Sequence, residues 1–235
     1  MTGGGRFDES TRERLRRLPL CSALEDASLD RLAGLSRILH LSRKETLFSE
    51  GEPYRGMFVV IEGLAVEYKM SGEGRMLIPH VCRPGDTLAE VPMFEERDAG
   101  YPCHARTTRE SEILFLPRDR FIPFLKTHPE VAWELLRGFA AKLKEISLQL
   151  EGVTLREVQS RLARYLLREM EAGGVADDPN PVLTLPLAKG SVASYLGTVH
   201  ETLSRTFARL IRDKVIQVDG AQVTIRDKSK LQRLV

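Results

Sequence analysis

The sequence predicts an α+β protein with an N-terminal β-roll, a long helix and a C-terminal winged helix-turn-helix. Three observations support this fold class. Short β-rich segments alternate with Gly- and Pro-containing turns over residues 38–117. A repeated apolar spacing follows from Pro129 to Leu150. Two short amphipathic segments and a hairpin signal lie between Lys189 and Ile225. We expect a sensing domain at 1–128, a dimerisation helix at 129–151 and a DNA-binding domain at 152–235.

Length and composition indicate a soluble, cytoplasmic protein of two domains. The chain has 235 residues, of which 42% are hydrophobic and 29% are charged. No apolar run has the length of a membrane span, and the N-terminal segment lacks the apolar core of a secretory signal. The three cysteines are scattered, which is typical of a reducing compartment and argues against a disulfide framework.

The β-rich part predicts a small barrel or sandwich, because its strand candidates recur at short, regular intervals. Two short helices are expected before it, at residues 8–17 and 28–36, the second with Ser28 as its N-cap. The turn signals contain Gly51, Gly63, Gly72, Gly74 and Gly85. The predicted strands cover residues 46–48, 57–61, 64–68, 76–81 and 113–116.

The long helix carries an apolar repeat with the 4-3-4-3-4 spacing of a coiled coil. This pattern favours a parallel dimer, because a helix-turn-helix protein needs a partner to bind two half-sites. The alternative is a helix that packs on its own β-domain. The residues of this repeat, called the heptad stripe below, are Ala132, Leu136, Phe139, Leu143, Ile146 and Leu150.

The segment from Lys189 to Leu210 has the pattern of a helix-turn-helix. Gly197 lies where the turn between the two helices needs a positive φ angle. The apolar faces are Val192, Ala193 and Leu196 in the first helix and Leu203, Phe207 and Leu210 in the second. The opposite face of the second helix begins with hydrogen-bonding side chains, which is where a recognition helix enters the major groove. The expected DNA-contacting residues are Lys189, Thr198, His200, Glu201, Ser204, Arg205 and Arg209.

A hairpin signal and a local positive charge accompany this motif. Asp219-Gly220 stands between the alternating runs 215–218 and 222–225 and predicts a wing. Residues 182–235 hold nine Lys or Arg and four Asp or Glu, a net +5, whereas the other 181 residues carry −3. Phosphate binding requires this coincidence of positive charge with the motif. The rival hypothesis, an effector-binding module that does not bind DNA, does not account for it.

From about Leu20 to its end the chain resembles the CRP/FNR superfamily of transcription regulators. Within that superfamily it is most similar to nitric-oxide and nitrosative-stress regulators of the Dnr and HcpR type, through residues 88–94 and 160–167. The resemblance implies a homodimer, a small-molecule or gaseous effector bound in the β-roll, and RNA polymerase as a partner. The segments that carry it are residues 50–53, 59–66, 84–90, 93–94 and 192–205.

Cyclic-nucleotide-binding members of this superfamily use a Gly-Glu pair for the ribose and a later Arg-Ser or Arg-Thr pair for the phosphate. Here Ala89-Glu90 stands at the first position. Residues 99–104 lack the Arg pair, and Arg97 and Arg106 flank the region out of register. Arg suits phosphate because its planar fork donates two hydrogen bonds. The sequence therefore argues against cAMP, with Glu90 retained for either an effector or a backbone hydrogen bond.

Haem and thiol chemistry stay open as sensing mechanisms. An iron–sulfur cluster needs four thiolates or close substitutes, and Cys21 alone lies near the N-terminus. A low-pKa redox thiol at Cys103 beside His104 is another alternative. Candidate axial ligands for haem are His40, His80, Cys82, Cys103, His104 and His128. The expected effector pocket comprises Glu90, Tyr101, Cys103, His104, Phe139 and Leu143.

The recognition helix carries the Glu-x-x-Ser-Arg pattern of FNR-like members. The resemblance implies that Arg205 binds guanine, that Glu201 accepts from cytosine N4 and that Ser204 lies near a thymine methyl group. The expected operator is an inverted repeat of TTGAT. His200 stands where CRP-like members carry an Arg. Thr198 and Glu201 also fit a capping box, in which Glu201 accepts from the Thr198 N–H group.

The sequence lacks the motifs of the common enzyme classes. It has no Gly-Lys-Ser/Thr phosphate loop, no paired His-Glu metal motif and no nucleophile elbow. We therefore expect a regulator that is not an enzyme.

Overall fold

The computed structural model describes residues 9–95, 100–155 and 157–235. Asp8, Arg97 and Ala99, which entered the sequence predictions, lie outside these ranges. The chain divides into two compact units, one of residues 1–69 and 79–144 and the other of residues 70–78 and 145–235. None of the described helices is both long and apolar enough to cross a membrane.

The first unit contains the predicted β-roll, which confirms the fold class. Its described strands form two antiparallel sheets in the orders β1-β8-β3-β6 and β2-β7-β4-β5. Helices α1 (Glu9–Arg16) and α2 (Asp26–Leu35) precede the sheets, and α3 (Arg118–Thr127) follows them. The strands are β1 (Arg37–Leu41), β2 (Thr46–Phe48), β3 (Gly56–Glu62), β4 (Ala65–Met70), β5 (Met76–Cys82), β6 (Thr87–Leu88), β7 (His104–Thr107) and β8 (Ser111–Pro117).

Strand β3 lies in the core, so both of its faces are buried. Val59 packs with the residues under the helices, whereas Phe58 and Val60 pack inside the β-roll. A continuous apolar run is what a strand covered on both faces requires. This explains why its sequence lacks the polar alternation of a surface strand.

Two predictions for this unit were wrong in detail. Helix α2 begins at Asp26 instead of after Ser28, and its N-cap is Glu25. An acidic residue in the first turn is favourable there because it faces the positive end of the helix dipole. Strands β1, β6 and β7 were not predicted. The sequence of β7, His-Ala-Arg-Thr, has little apolar character. Its pairing with β2 and β4 sets its conformation.

The long helix α4 extends from Pro129 to Leu155 and has two different faces. Val131 and Leu135 are buried against the β-roll. Leu136, Leu143 and Leu150 repeat every seven residues and are 55%, 66% and 66% exposed. One face of the helix therefore packs on its own domain, as the alternative hypothesis expects, and another presents an apolar stripe. The use of this stripe as a dimer contact stays a prediction.

The second unit is a winged helix. Its elements are α5 (Val158–Ala172), β9 (Val182–Thr184), α6 (Lys189–Tyr195), α7 (His200–Arg212), β10 (Ile216–Asp219), β11 (Gln222–Ile225) and α8 (Lys228–Gln232). The three strands pair antiparallel in the order β10-β11-β9. Asp219 pairs with Gln222, so the wing turn comprises Gly220 and Ala221, one residue later than predicted. Strand β9 ends at Thr184, shortly before Pro186, which has no N–H group to donate.

Candidate DNA interface and effector site

The recognition helix α7 is fixed by its apolar face. Leu203, Phe207 and Leu210 are buried, as the spacing predicts. Gly197 has φ +61° in the turn before the helix, a conformation in which a side chain would be strained. The backbone N–H group of Leu203 donates to the carbonyl oxygen of Val199, so the helix is already formed in its first turn.

The opposite face of α7 is exposed and polar. His200, Glu201, Ser204, Arg205 and Arg209 are all exposed. An Arg205 guanidinium nitrogen lies 3.5 Å from a Glu201 carboxylate oxygen, and both side chains are more than 70% exposed. An exposed pair at this spacing contributes little to stability, so it leaves Arg205 available for another partner at small cost.

The expected capping box at the start of α7 is not formed. The N-cap is Val199, and it makes no side-chain capping bond. The Thr198 N–H group donates instead to the Ala193 carbonyl oxygen at 3.0 Å, and Thr198 itself is half-buried. The carboxylate of Glu201 is therefore not needed to satisfy the backbone at this position.

Basic residues surround the recognition helix. Lys189, at the start of α6, is exposed, and its ammonium lies 5.8 Å from the centre of the Phe207 ring. Lys214 is exposed in the turn before the wing, where it has φ +57°. These side chains lie on either side of α7 along the sequence. They have the charge and the exposure that phosphate contacts require.

A hydrogen-bond network joins the end of α4 to the winged helix. One carboxylate oxygen of Glu145 accepts from the Tyr195 hydroxyl at 3.0 Å and from Arg168 at 2.9 Å. Burial raises the pKa of Tyr195 to about 12, so its hydroxyl stays protonated as a donor. Arg161 of α5 donates to the Leu196 carbonyl oxygen at 2.6 Å and thereby caps the end of α6.

In the β-roll, only some of the predicted pocket residues come together. Tyr101 and Cys103 share one core cluster with Ala89, and Glu90 is buried beside it. The Tyr101 hydroxyl donates to the Gly56 carbonyl oxygen at 3.1 Å, and its ring stacks on Phe48 with centroids 4.2 Å apart.

The other predicted pocket residues lie elsewhere. The His104 ring accepts from the Glu50 N–H group and stacks on Tyr68. Phe139 packs edge-on against Phe94, and Leu143 is 66% exposed. These contacts do not bring His104, Phe139 and Leu143 together with Tyr101 and Cys103, and their assignment to the pocket stays a prediction.

Two residues missing from the sequence prediction complete the buried site. The Lys142 ammonium of α4 lies 2.9 Å from a Glu67 oxygen and 2.8 Å from a Glu90 oxygen. Glu67 is on β4, two residues after the core residue Ala65, so alternation places both on the inner face. This period-two pattern is the sequence feature that could have identified Glu67 as an inward-facing residue. Glu67, Glu90 and Lys142 are called the ammonium cluster below.

The segment before Glu90 explains how the cluster is supported. Ala89 has φ +56°, in the left-handed region that favours glycine. Its N–H group donates at 3.0 Å to the second Glu67 oxygen. The Tyr54 hydroxyl donates to the Ala89 carbonyl oxygen at 2.8 Å. Both backbone groups of Ala89 are thus used to position the buried carboxylates.

Known protein families match both units. A Crp-like helix-turn-helix domain matches residues 160–234, and a cyclic nucleotide-binding domain matches residues 38–128. The transcriptional activatory protein AadR of Rhodopseudomonas palustris is 27% identical over 94% of this chain and 90% of that protein. A CRP-like cAMP-activated global transcriptional regulator of Mycobacterium tuberculosis is 25% identical over 94% and 98%. The chain belongs to the CRP/FNR family.

Solved structures agree with this assignment at the level of the fold. FixK2 from Bradyrhizobium japonicum superimposes with a TM-score of 0.72 at 21% identity, over 85% of this chain and 96% of that one. The 235-residue chain is thus a DNA-binding transcription regulator of the CRP/FNR family with a cyclic-nucleotide-binding-like domain. Its relatives are transcription regulators, not enzymes.

The cysteines of this CRP/FNR regulator are structural in character. Cys21, Cys82 and Cys103 are buried and free. Burial raises the pKa of Cys103 to about 12 and the pKa of Cys82 well above its ordinary value. A redox-sensing thiol needs a lowered pKa, so the buried setting of Cys103 does not favour the alternative of a reactive thiol.

The histidines proposed as haem ligands are already engaged. Both ring nitrogens of His128 are in hydrogen bonds, with the Phe124 carbonyl oxygen and the Ser28 hydroxyl. His40 lies 3.3 Å from Glu112, and its side chain is 71% exposed. Within the described residues, no group of three His, Cys, Asp or Glu side chains is placed to hold a metal ion. The hydrogen bonds of His128 compete with axial ligation, so its setting does not favour a role as a haem ligand.

Proposed function

We propose that this regulator is a homodimer that uses α7 to bind an inverted repeat of the FNR-like half-site TTGAT, without a cyclic nucleotide. The observation that carries this proposal is the polar, exposed face of α7, which presents Glu201, Ser204 and Arg205 while its apolar face is buried. Contact with RNA polymerase stays a prediction.

Arg205 is the residue best suited to base recognition. Its guanidinium donates two parallel hydrogen bonds, which match O6 and N7 of guanine in the major groove. Glu201 lies one turn earlier and accepts, as cytosine N4 requires. The ion pair between them holds both side chains over the same stretch of groove. His200, which replaces an Arg of CRP-like members, favours the FNR-like half-site.

The exposed part of the heptad stripe supports dimerisation. Leu136, Leu143 and Leu150 are spaced by seven residues and are largely exposed in a single chain. An apolar stripe of this length on a soluble protein marks an interaction surface. A second copy of the same helix is the occupant that the heptad spacing fits, because its knobs would enter matching holes. Two-fold symmetry of the dimer would then match the inverted repeat.

The β-roll lacks the chemistry for a cyclic phosphate. The relative from Mycobacterium tuberculosis is described as cAMP-activated. In this chain, the buried interior carries the carboxylates of Glu67 and Glu90, and the Lys142 ammonium that lies between them is already paired with both. A phosphate placed there would meet like charge without a free Arg fork.

Binding to a defined duplex tests this proposal. We expect the wild-type protein to prefer an inverted TTGAT repeat over a scrambled duplex by at least about 10³-fold in fluorescence anisotropy. The spacing between half-sites should be varied in steps of one base pair around one helical turn, about 10 base pairs. Addition of cAMP or cGMP should leave the affinity unchanged, and calorimetry should detect no binding. Equal affinity for the scrambled duplex, or dependence on cAMP, would contradict the proposal.

A further inference from the structure

The two carboxylates of the ammonium cluster would repel the phosphate of a cyclic nucleotide, the ligand class of this domain family. They would instead attract a cation. Two carboxylates converge on one ammonium at 2.8 and 2.9 Å. The side chains of Lys142, Glu67 and Glu90 are 17%, 9% and 6% exposed. Buried charges persist only when they are paired and hydrogen-bonded, so this arrangement is specific for a cation with N–H donors.

One acceptor in the cluster is not satisfied. The second carboxylate oxygen of Glu90 is buried and has no hydrogen-bond partner among the described residues. The two oxygens of Glu67 are used by Lys142 and by the Ala89 N–H group. The site thus offers more acceptors than its single lysine fills. This set of carboxylate oxygens suits a primary ammonium group, which carries three donors.

The cation in this pocket belongs to the helix that carries the heptad stripe. Lys142 directly precedes Leu143, which is 66% exposed. Glu67 and Glu90 come from the β-roll, so the ammonium is the charged link between the roll and α4. An external ligand would have to make that same link.

We propose that the β-roll is a site for primary ammonium groups and that Lys142 of α4 is its built-in ligand, which holds α4 against the roll without an external effector. DNA binding by the wild-type protein is therefore constitutive. This inference rests on the proposed function only for its DNA-binding readout. The site itself is tested by stability and chemical reactivity.

The first experiment replaces the built-in ligand by a free one. Lys142→Ala removes three methylene groups and the ammonium, which correspond to n-propylamine. We expect the variant to melt at a lower temperature and to bind the TTGAT duplex at least about tenfold more weakly. Millimolar n-propylamine should restore both properties in part, whereas n-propanol, which lacks the charge, should not. The wild-type protein should respond to neither compound.

Matched variants distinguish a specific site from a general salt effect. Lys142→Met fills the same space without an ammonium, so n-propylamine should not rescue it. The variant Lys142→Ala with Glu67→Gln and Glu90→Gln lacks the carboxylates, and it should also not respond. The proposal would be overturned if n-propylamine rescued Lys142→Ala, Lys142→Met and the triple variant alike. It would also be overturned if Lys142→Ala had the stability and DNA affinity of the wild type.

A second measurement uses the unmodified protein and does not depend on the folding of a variant. Lys142 and Lys144 are two residues apart on α4, the first buried in the cluster and the second exposed. Acetylation followed by mass spectrometry should modify Lys142 at least about tenfold more slowly than Lys144, because it requires local opening. The difference should vanish in urea. Equal rates in the native protein would overturn the proposal even if DNA binding is normal. Protection of Lys142 without DNA binding would reject the proposed function and constitutive DNA binding, but not the ammonium site in the β-roll.

Discussion

At the scale of single residues, charge placement determines what each site accepts. Lys142 pairs with two buried carboxylates inside the β-roll, whereas Arg205 pairs with one exposed carboxylate on α7. The buried group is costly to remove, because its partners would be left unpaired in a poorly solvated interior. The exposed group is easily redirected to a base edge, because water screens its present partner.

The buried position of Glu90 makes stability depend on pH. Burial raises the pKa of Glu90, Lys142 opposes this shift, and the negative charge of Glu67 adds to it. A carboxyl group with a higher pKa in the folded than in the unfolded state stabilises the fold at low pH. That contribution is lost as pH rises from 4.5, the ordinary value, through the folded pKa. Gln at this position does not titrate.

We therefore expect the wild-type free energy of unfolding, measured relative to that of Glu90→Gln, to fall as pH rises through this window. Urea denaturation of both proteins at a series of pH values from 4 to 8 measures the difference. A difference that stays constant or increases with pH would contradict the assigned direction of the shift.

Phosphate contacts at the edge of the recognition helix predict a salt effect. Log affinity falls as log salt concentration rises, and each lysine that neutralises a phosphate makes this slope steeper by about 0.9. Lys189→Ala should reduce that slope by about one and weaken binding to all sequences equally. Lys144→Ala, an exposed lysine of α4, serves as the control and should leave the slope unchanged. An identical slope for Lys189→Ala and wild type would place Lys189 away from the DNA.

At the scale of elements, α4 combines two packing surfaces. On its inner face, Val131 and Leu135 pack in the buried cluster between the helices and the β-sheet, and Lys142 reaches the carboxylates of Glu67 and Glu90. Its outer face carries the exposed leucines of the heptad stripe. Ala132 and Phe139, which the 4-3 spacing also assigns to the stripe, pack partly against the β-roll. The dimer contact we propose therefore relies most on the leucines at 136, 143 and 150.

A charge in the middle of the stripe tests the proposed dimer. Leu143→Glu would bury a carboxylate against its symmetry mate, at a cost of several kcal/mol. We expect a monomer in sedimentation that no longer binds the TTGAT duplex. Ala141→Glu adds the same charge two residues away, opposite the stripe, and should remain a dimer. A Leu143→Glu protein that sediments as a dimer and binds DNA would exclude the stripe as the interface.

At the scale of the whole molecule, strongly periodic segments could be predicted and context-dependent ones could not. The buried faces of α7 and the outward leucines of α4 follow from helical spacing alone. Strand β7 could not be predicted, because its conformation comes from its neighbours. The ammonium cluster was missed because Glu67, Glu90 and Lys142 are separated in sequence and meet only in the folded chain.

Selection from random DNA with the wild-type protein and Arg205→Ala shows whether α7 reads an FNR-like half-site through Arg205. We predict that the wild type enriches an inverted TTGAT repeat. Arg205→Ala should lose its preference at the guanine and bind the wild-type site about 1–3 kcal/mol more weakly. Both proteins enriching the same motif with equal strength would contradict this account, because the helix that reads the bases would then lie elsewhere.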